Sequence, residues 1–162
     1  MDATSDDMRC NIVNGRAKET VTIPAGTSVA LGLDNVIYHP GPATLYLGKV
    51  PEGETAATWD GSGVNWFKIK NWGGVYDPAM WDFEVLNQYQ VNATIPAAVP
   101  SGEYLLRAEQ IGLLIYLEPQ YYVSCAQVKI VNGGDGKPPL VAIPGHFQPD
   151  DPWLASGHLE NR

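Results

Sequence analysis

Thirteen prolines and seventeen glycines interrupt these 162 residues so often that no long helix fits between them. Proline removes a backbone donor and fixes φ, and glycine weakens any regular element it interrupts. What lies between the breaks alternates with period two, the signature of strands with one buried face. Strands are expected over residues 20–23, 27–33, 43–50, 64–70, 90–95, 104–110 and 121–131. Val29, Leu31 and Leu33 share one face of the second, and Leu45 and Leu47 point inward from the third. Trp66 and Phe67 fall on opposite faces of the fourth. Residues 34–42 and 51–63 read as loops, 71–87 as irregular, and 133–162 as an extended tail. Strands at this spacing, joined by Gly/Pro turns, predict an all-β, two-sheet sandwich.

The length fits one domain, residues 1–162, with enough apolar content (44%) to bury a core. The formal charge is −8, and the ten Lys and Arg residues are scattered. Phosphate neutralisation needs clustered cations, so nucleic acid is excluded as a partner, and an anionic membrane surface is disfavoured for the same reason. No apolar run is long enough to cross a bilayer. No signal peptide is expected at the start, where Asp2, Asp6 and Asp7 stand in place of an apolar segment.

Few residues point to chemistry on their own. Cys10 and Cys125 are either a bridge, constraining the denatured chain by about 4–5 kcal/mol, or two buried thiols. His39 lies in a loop stiffened by Pro40 and Pro42, and is either a ligand or a solvated loop residue. Tyr122 reads as a strand aromatic facing the core, and Gln120 as a strand-edge surface residue. His146 and His158 are read as solvated members of a polar tail. Arg107 and Glu109, two apart on a strand, share a face and are placed to form ion pairs. The acids Glu52, Glu54, Asp60, Asp77 and Asp82 are spread over loops, with no pair singled out for glycoside hydrolysis. Trp59, Trp72, Tyr76 and Trp81 form either a sugar-stacking surface or buried packing. Asn92-Ala93-Thr94 is an N-glycosylation sequon.

Several longer motifs carry a resemblance. Asp2-Ala3-Thr4-Ser5-Asp6-Asp7-Met8-Arg9-Cys10-Asn11, His39-Pro40-Gly41-Pro42, Tyr46-Leu47-Gly48-Lys49-Val50 and Trp59-Asp60-Gly61-Ser62-Gly63 come first. Pro100-Ser101-Gly102-Glu103-Tyr104-Leu105-Leu106-Arg107-Ala108-Glu109, Gln120-Tyr121-Tyr122-Val123-Ser124-Cys125-Ala126-Gln127 and Ile143-Pro144-Gly145 follow, with Asp151-Pro152 beyond. In that order they resemble the fungal lytic polysaccharide monooxygenases of auxiliary activity family 9, once called glycoside hydrolase family 61. The resemblance implies an immunoglobulin-like antiparallel sandwich, secretion, and copper-dependent oxidative cleavage of cellulose or a related β-1,4-glucan. By the same resemblance His39 is a copper ligand, Tyr122 the axial tyrosine, Gln120 the hydrogen-bonding glutamine of the reaction, and Cys10–Cys125 a disulfide.

The sequence departs from the family pattern in places. The family's copper brace takes an imidazole and an amine from an amino-terminal histidine, which has no counterpart in these residues. Leu114 stands where the pattern places a histidine, and leucine offers no proton. Trp153 is the residue nearest to the family's carboxy-terminal tyrosine. The expectation is a sandwich without the family's first strands, with sheet edges open to rearrangement or homo-oligomer formation, and a copper site reduced to His39 and Tyr122. The alternatives are a non-catalytic glucan-binding or structural sandwich, or a fragment of a full-length monooxygenase.

Overall fold

The computed structural model describes residues 2–11, 17–77, 80–113 and 119–147. Among them, ten strands follow a short 3-10 turn at Asp6–Met8: β1 (Val21–Pro24), β2 (Ser28–Gly32), β3 (Ala43–Lys49), β4 (Val64–Trp72), β5 (Gly74–Asp77), β6 (Met80–Phe83), β7 (Gln90–Thr94), β8 (Gly102–Gly112), β9 (Gln120–Val131) and β10 (Val141–Ala142). Six form one sheet in the order β1-β9-β8-β3-β4-β10, and β2-β7 and β5-β6 form two-stranded ribbons. All pairings are antiparallel except β1 with β9. The chain is all-β, as its turn pattern predicts.

Alternation along the strands builds two apolar layers. On one face of the large sheet lie Leu45, Leu47, Phe67, Tyr104, Leu106, Val128 and Ile130, closed over by Val91 of β7 with Val29 and Leu31 of β2. That is the inter-sheet core of the sandwich, and each such side chain contributes about 1.5–3 kcal/mol by leaving water. The opposite face is covered as well. Met8, Cys10, Ala56, Trp59 and Ile143 come from segments outside the large sheet and pack on Tyr46, Trp66 and Leu105. Trp59 stacks on Trp66 with ring centroids 5.5 Å apart, and Trp66 donates its indole N–H to the Gly61 carbonyl at 2.7 Å. β3 is therefore buried on both sides, which explains its nearly unbroken apolar run. The Cys10–Cys125 disulfide pins the amino-terminal segment onto β9.

Two sequence expectations change. The stretch read as irregular, 71–87, holds the end of β4 and the β5-β6 hairpin, because Gly74–Asp77 and Met80–Phe83 pair with each other. The tail read from residue 133 contributes β10, paired with β4, and its Ile143 and Phe147 pack on the sheet. Leu114, Trp153, His158 and Asp151-Pro152 lie outside the described residues.

Candidate functional site

The site grows from the end of the β8-β9 pair where β8 finishes and β9 begins, with Gln110 facing Tyr122 and Gly112 facing Gln120. The loop carrying His39 docks against this end through backbone bonds. Ile111 N–H donates to the Pro42 carbonyl at 3.0 Å, and Leu113 N–H to the Pro40 carbonyl at 2.8 Å. Prolines cannot donate, so the loop accepts at both and the strand end supplies the donors. The Gln110 side-chain amide adds a bond to the His39 carbonyl at 3.2 Å.

Two glycines permit this approach. Gly41 has φ +151°, and a Cβ built there would lie 1.7 Å from the Ile111 carbonyl oxygen, so no side chain fits. A Cβ on Gly112 would meet the His39 Cβ at 3.2 Å and a Tyr122 ring carbon at 3.4 Å. The bare backbone there leaves the two rings facing each other. Their centroids are 6.0 Å apart and the planes differ by 24°. Tyr38 tilts against His39 as well, its ring centroid 4.3 Å away.

Tyr122 is 44% exposed and Tyr38 59%, so the reading of Tyr122 as a core aromatic does not hold. Along this face of β9 the apolar cluster includes Ala126, Val128 and Ile130, whereas Ser124, Tyr122 and Gln120 are exposed. Gln120 and Tyr122, two apart, share that open face. The Tyr122 hydroxyl donates to Gln120 Oε1 at 2.6 Å. Partial burial, then the neighbouring Tyr38, raise the Tyr122 phenol above its ordinary pKa, which keeps it a neutral donor near neutral pH.

Copper(II) favours several nitrogen and oxygen donors in a tetragonal plane. This face brings one imidazole, a phenol already bonded to an amide, and that amide. Among the described residues no group of three or more His, Cys, Asp or Glu side chains is placed to share a metal. The donor set they present is therefore incomplete for copper.

The remaining candidates fall elsewhere. Trp59 and Trp72 are buried and are not a sugar surface; Tyr76 lies in β5 and Trp81 in β6. Asn92 is exposed in the middle of β7. His146, expected in solvent, is buried: its Nε2 lies 3.0 Å from Glu109 Oε2, and both side chains are 2% exposed. Arg107 and Glu109 do pair, at 2.5 Å, on the sheet face opposite the sandwich core. Sequence reasoning missed Tyr38 as part of the site, although its place directly before His39 was a usable signal.

Residues 1–159 match the family model described as Auxiliary Activity family 9 (formerly GH61). The chain is 46% identical over 160 residues to AA9 family lytic polysaccharide monooxygenase H of Malbranchea cinnamomea, covering 94% of this chain and 69% of that protein. It is 42% identical over 165 residues to monooxygenase E of Podospora anserina, covering 99% of this chain and 54% of that one. The chain thus spans from about half to about two thirds of these relatives' length. Among solved structures, a cellulose-active polysaccharide monooxygenase from M. thermophila superposes with TM-score 0.79 at 28% identity, covering 94% of this chain and 72% of that one. HiLPMO9B superposes with TM-score 0.84 at 29% identity, with the same coverage.

Proposed function

The chain belongs to auxiliary activity family 9, and from that membership and the face around His39 we propose that it is a polysaccharide-directed protein meeting β-1,4-glucan over Tyr38, His39 and Tyr122. The family consists of secreted fungal enzymes that depend on copper and cleave polysaccharides oxidatively.

The observation behind the reading is a row of neighbouring rings, with Tyr38 and Tyr122 exposed and His39 half-buried beside both. Tyr38, His39 and Tyr122 present a wet, aromatic surface, and aromatic rings with a polar tip suit a ligand that is apolar on its ring faces and polar at its rim. The Tyr122–Gln120 bond fixes one end of that surface. His39 is the imidazole that would contribute to holding copper, with Tyr122 and Gln120 on the same face. One imidazole does not complete a copper plane, so the reading made from the described residues is of glucan binding.

Two measurements test this. Depletion of the protein from solution by microcrystalline cellulose should be strong, and should weaken severalfold for Tyr38→Ala. The electron paramagnetic resonance spectrum after adding Cu(II) should lack a tetragonal, multi-nitrogen pattern. Undiminished depletion of Tyr38→Ala overturns the glucan surface, and a multi-nitrogen copper signal overturns the incomplete donor set.

A further inference from the structure

The sequon Asn92-Ala93-Thr94 takes no part in the face around His39. It sits on β7, whose ladder with β2 sets Asn92 opposite Ala30, Thr94 opposite Ser28 and Gln90 opposite Gly32. Alternation turns Val29, Leu31, Val91 and Ala93 toward the core. Ser28, Ala30, Gly32, Gln90, Asn92 and Thr94 are all exposed. Around the Asn92 amide the ribbon is therefore low. Its cross-strand neighbour is alanine, the diagonal neighbours on β2 are serine and glycine, and a Cβ added at Gly32 would meet nothing within 4 Å. Thr94 shares the outward face, its hydroxyl oxygen 3.1 Å from that of Ser28. It belongs to the only Asn-x-Ser/Thr triplet in the 162 residues.

We propose that Asn92 is an N-glycan attachment site, and that the glycan covers the outer face of the β2-β7 ribbon. The donor class is a lipid diphosphate-linked oligosaccharide. The Asn92 side-chain nitrogen forms a bond to the anomeric carbon, the bond from that carbon to the lipid diphosphate breaks, and the amide loses a proton. A hydrophilic, branched group at this place has a physical consequence. The outer edges of β2 and β7 pair with no other described strand, and a bulky glycan beside them hinders edge-to-edge association. The inference rests on passage through a secretory pathway, not on glucan binding.

The test is expression of the full chain through the secretory pathway of a filamentous fungus, with intact mass and peptide mapping of the secreted protein. The expected result is a heterogeneous mass that collapses on treatment with peptide N-glycosidase F, leaving aspartate at position 92. Asn92→Gln and Thr94→Val should each be secreted without the glycan, and Thr94→Ser should retain it. The mapping of the unaltered protein needs no variant, so a folding defect in Asn92→Gln does not obscure the answer. The same map reads the Cys10–Cys125 bridge. A bridged, secreted protein with unmodified Asn92 overturns the proposal and leaves the glucan reading untouched.

Discussion

The Nε2 atom of His146 and the Oε2 atom of Glu109 lie 3.0 Å apart in a region closed to solvent. An ionised carboxylate only accepts, so His146 Nε2 carries the proton between them. The same carboxylate oxygen pairs with Arg107. Arg107 Nε donates to the Met8 and Arg9 carbonyls at 3.0 and 2.9 Å, and its Nη2 reaches the Met8 carbonyl at 2.6 Å. The guanidinium also lies 5.4 Å over the Tyr46 ring. One buried ion pair on β8 thus holds the amino-terminal segment on one side and the segment after β10 on the other.

Burial pushes the Glu109 carboxyl up, but the hydrogen bond from His146 and the Arg107 charge outweigh it, and the net result lies below the usual glutamate value. A depressed folded-state pKa contributes stability that is present above the unfolded value and lost as pH falls through the folded one. Urea unfolding followed downward in pH should show this loss below the ordinary glutamate range. Glu109→Gln should remove much of that acid-side slope. It should also cost about 3–5 kcal/mol near neutral pH, because Arg107 is left buried without its counter-charge. An unchanged acid limb in Glu109→Gln would rule out this carboxylate as its source.

The disulfide joins residues 115 apart. Closing a loop of that size limits the denatured chain far more than the folded one, so opening it should cost about 4–5 kcal/mol. The double variant Cys10→Ser/Cys125→Ser should lower the urea midpoint accordingly, and a reductant should shift the unaltered protein but not the variant. Equal midpoints for the two proteins would mean the packing of Met8 and its neighbours holds the segment without the covalent link.

Much of the large sheet was legible because Pro and Gly mark its strand ends and bound the short apolar runs that became β3, β4, β8 and β9. The β5-β6 hairpin was not. Asn71 to Asn87 mixes glycine with aromatics, and without alternation nothing local separates a short hairpin from a loop. The burial of His146 was hidden for a different reason. It sits in a proline- and glycine-rich tail, and its surroundings are set by Glu109 and Tyr46, distant in sequence, together with the adjacent Phe147 ring. His39 and Tyr122 lie far apart in the chain, and no spacing rule links them. Only the resemblance named both, and only the docked loop shows how Gly41 and Gly112 let them meet.

Gly41 offers a direct test of that docking. Any side chain there collides with the Ile111 carbonyl, so Gly41→Ala must push the His39 loop off the end of β8. Forcing a residue into such a backbone conformation costs about 1–3 kcal/mol, and the lost bonds to the Pro40 and Pro42 carbonyls add to it. The expected outcome is a modest fall in melting temperature together with a large loss of cellulose binding. A variant that binds cellulose normally would show that the loop position does not matter to the surface.

The two tyrosines should separate ring from hydroxyl. Tyr38 has an exposed ring, so Tyr38→Phe should bind cellulose nearly as well as the unaltered protein if the ring face makes the contact. Tyr122 does two things: its ring faces His39, and its hydroxyl holds Gln120 at 2.6 Å. Tyr122→Phe keeps the ring and frees the amide, and a hydrogen bond of this kind has a net worth of about 0.5–1.5 kcal/mol. Its effect on cellulose partition should therefore be small, whereas Tyr122→Ala should weaken partition severalfold with little change in melting temperature, since the side chain lies outside the core. If Tyr122→Phe proves as damaging as Tyr122→Ala, the contact runs through the Gln120 bond, and stacking is not what this residue contributes.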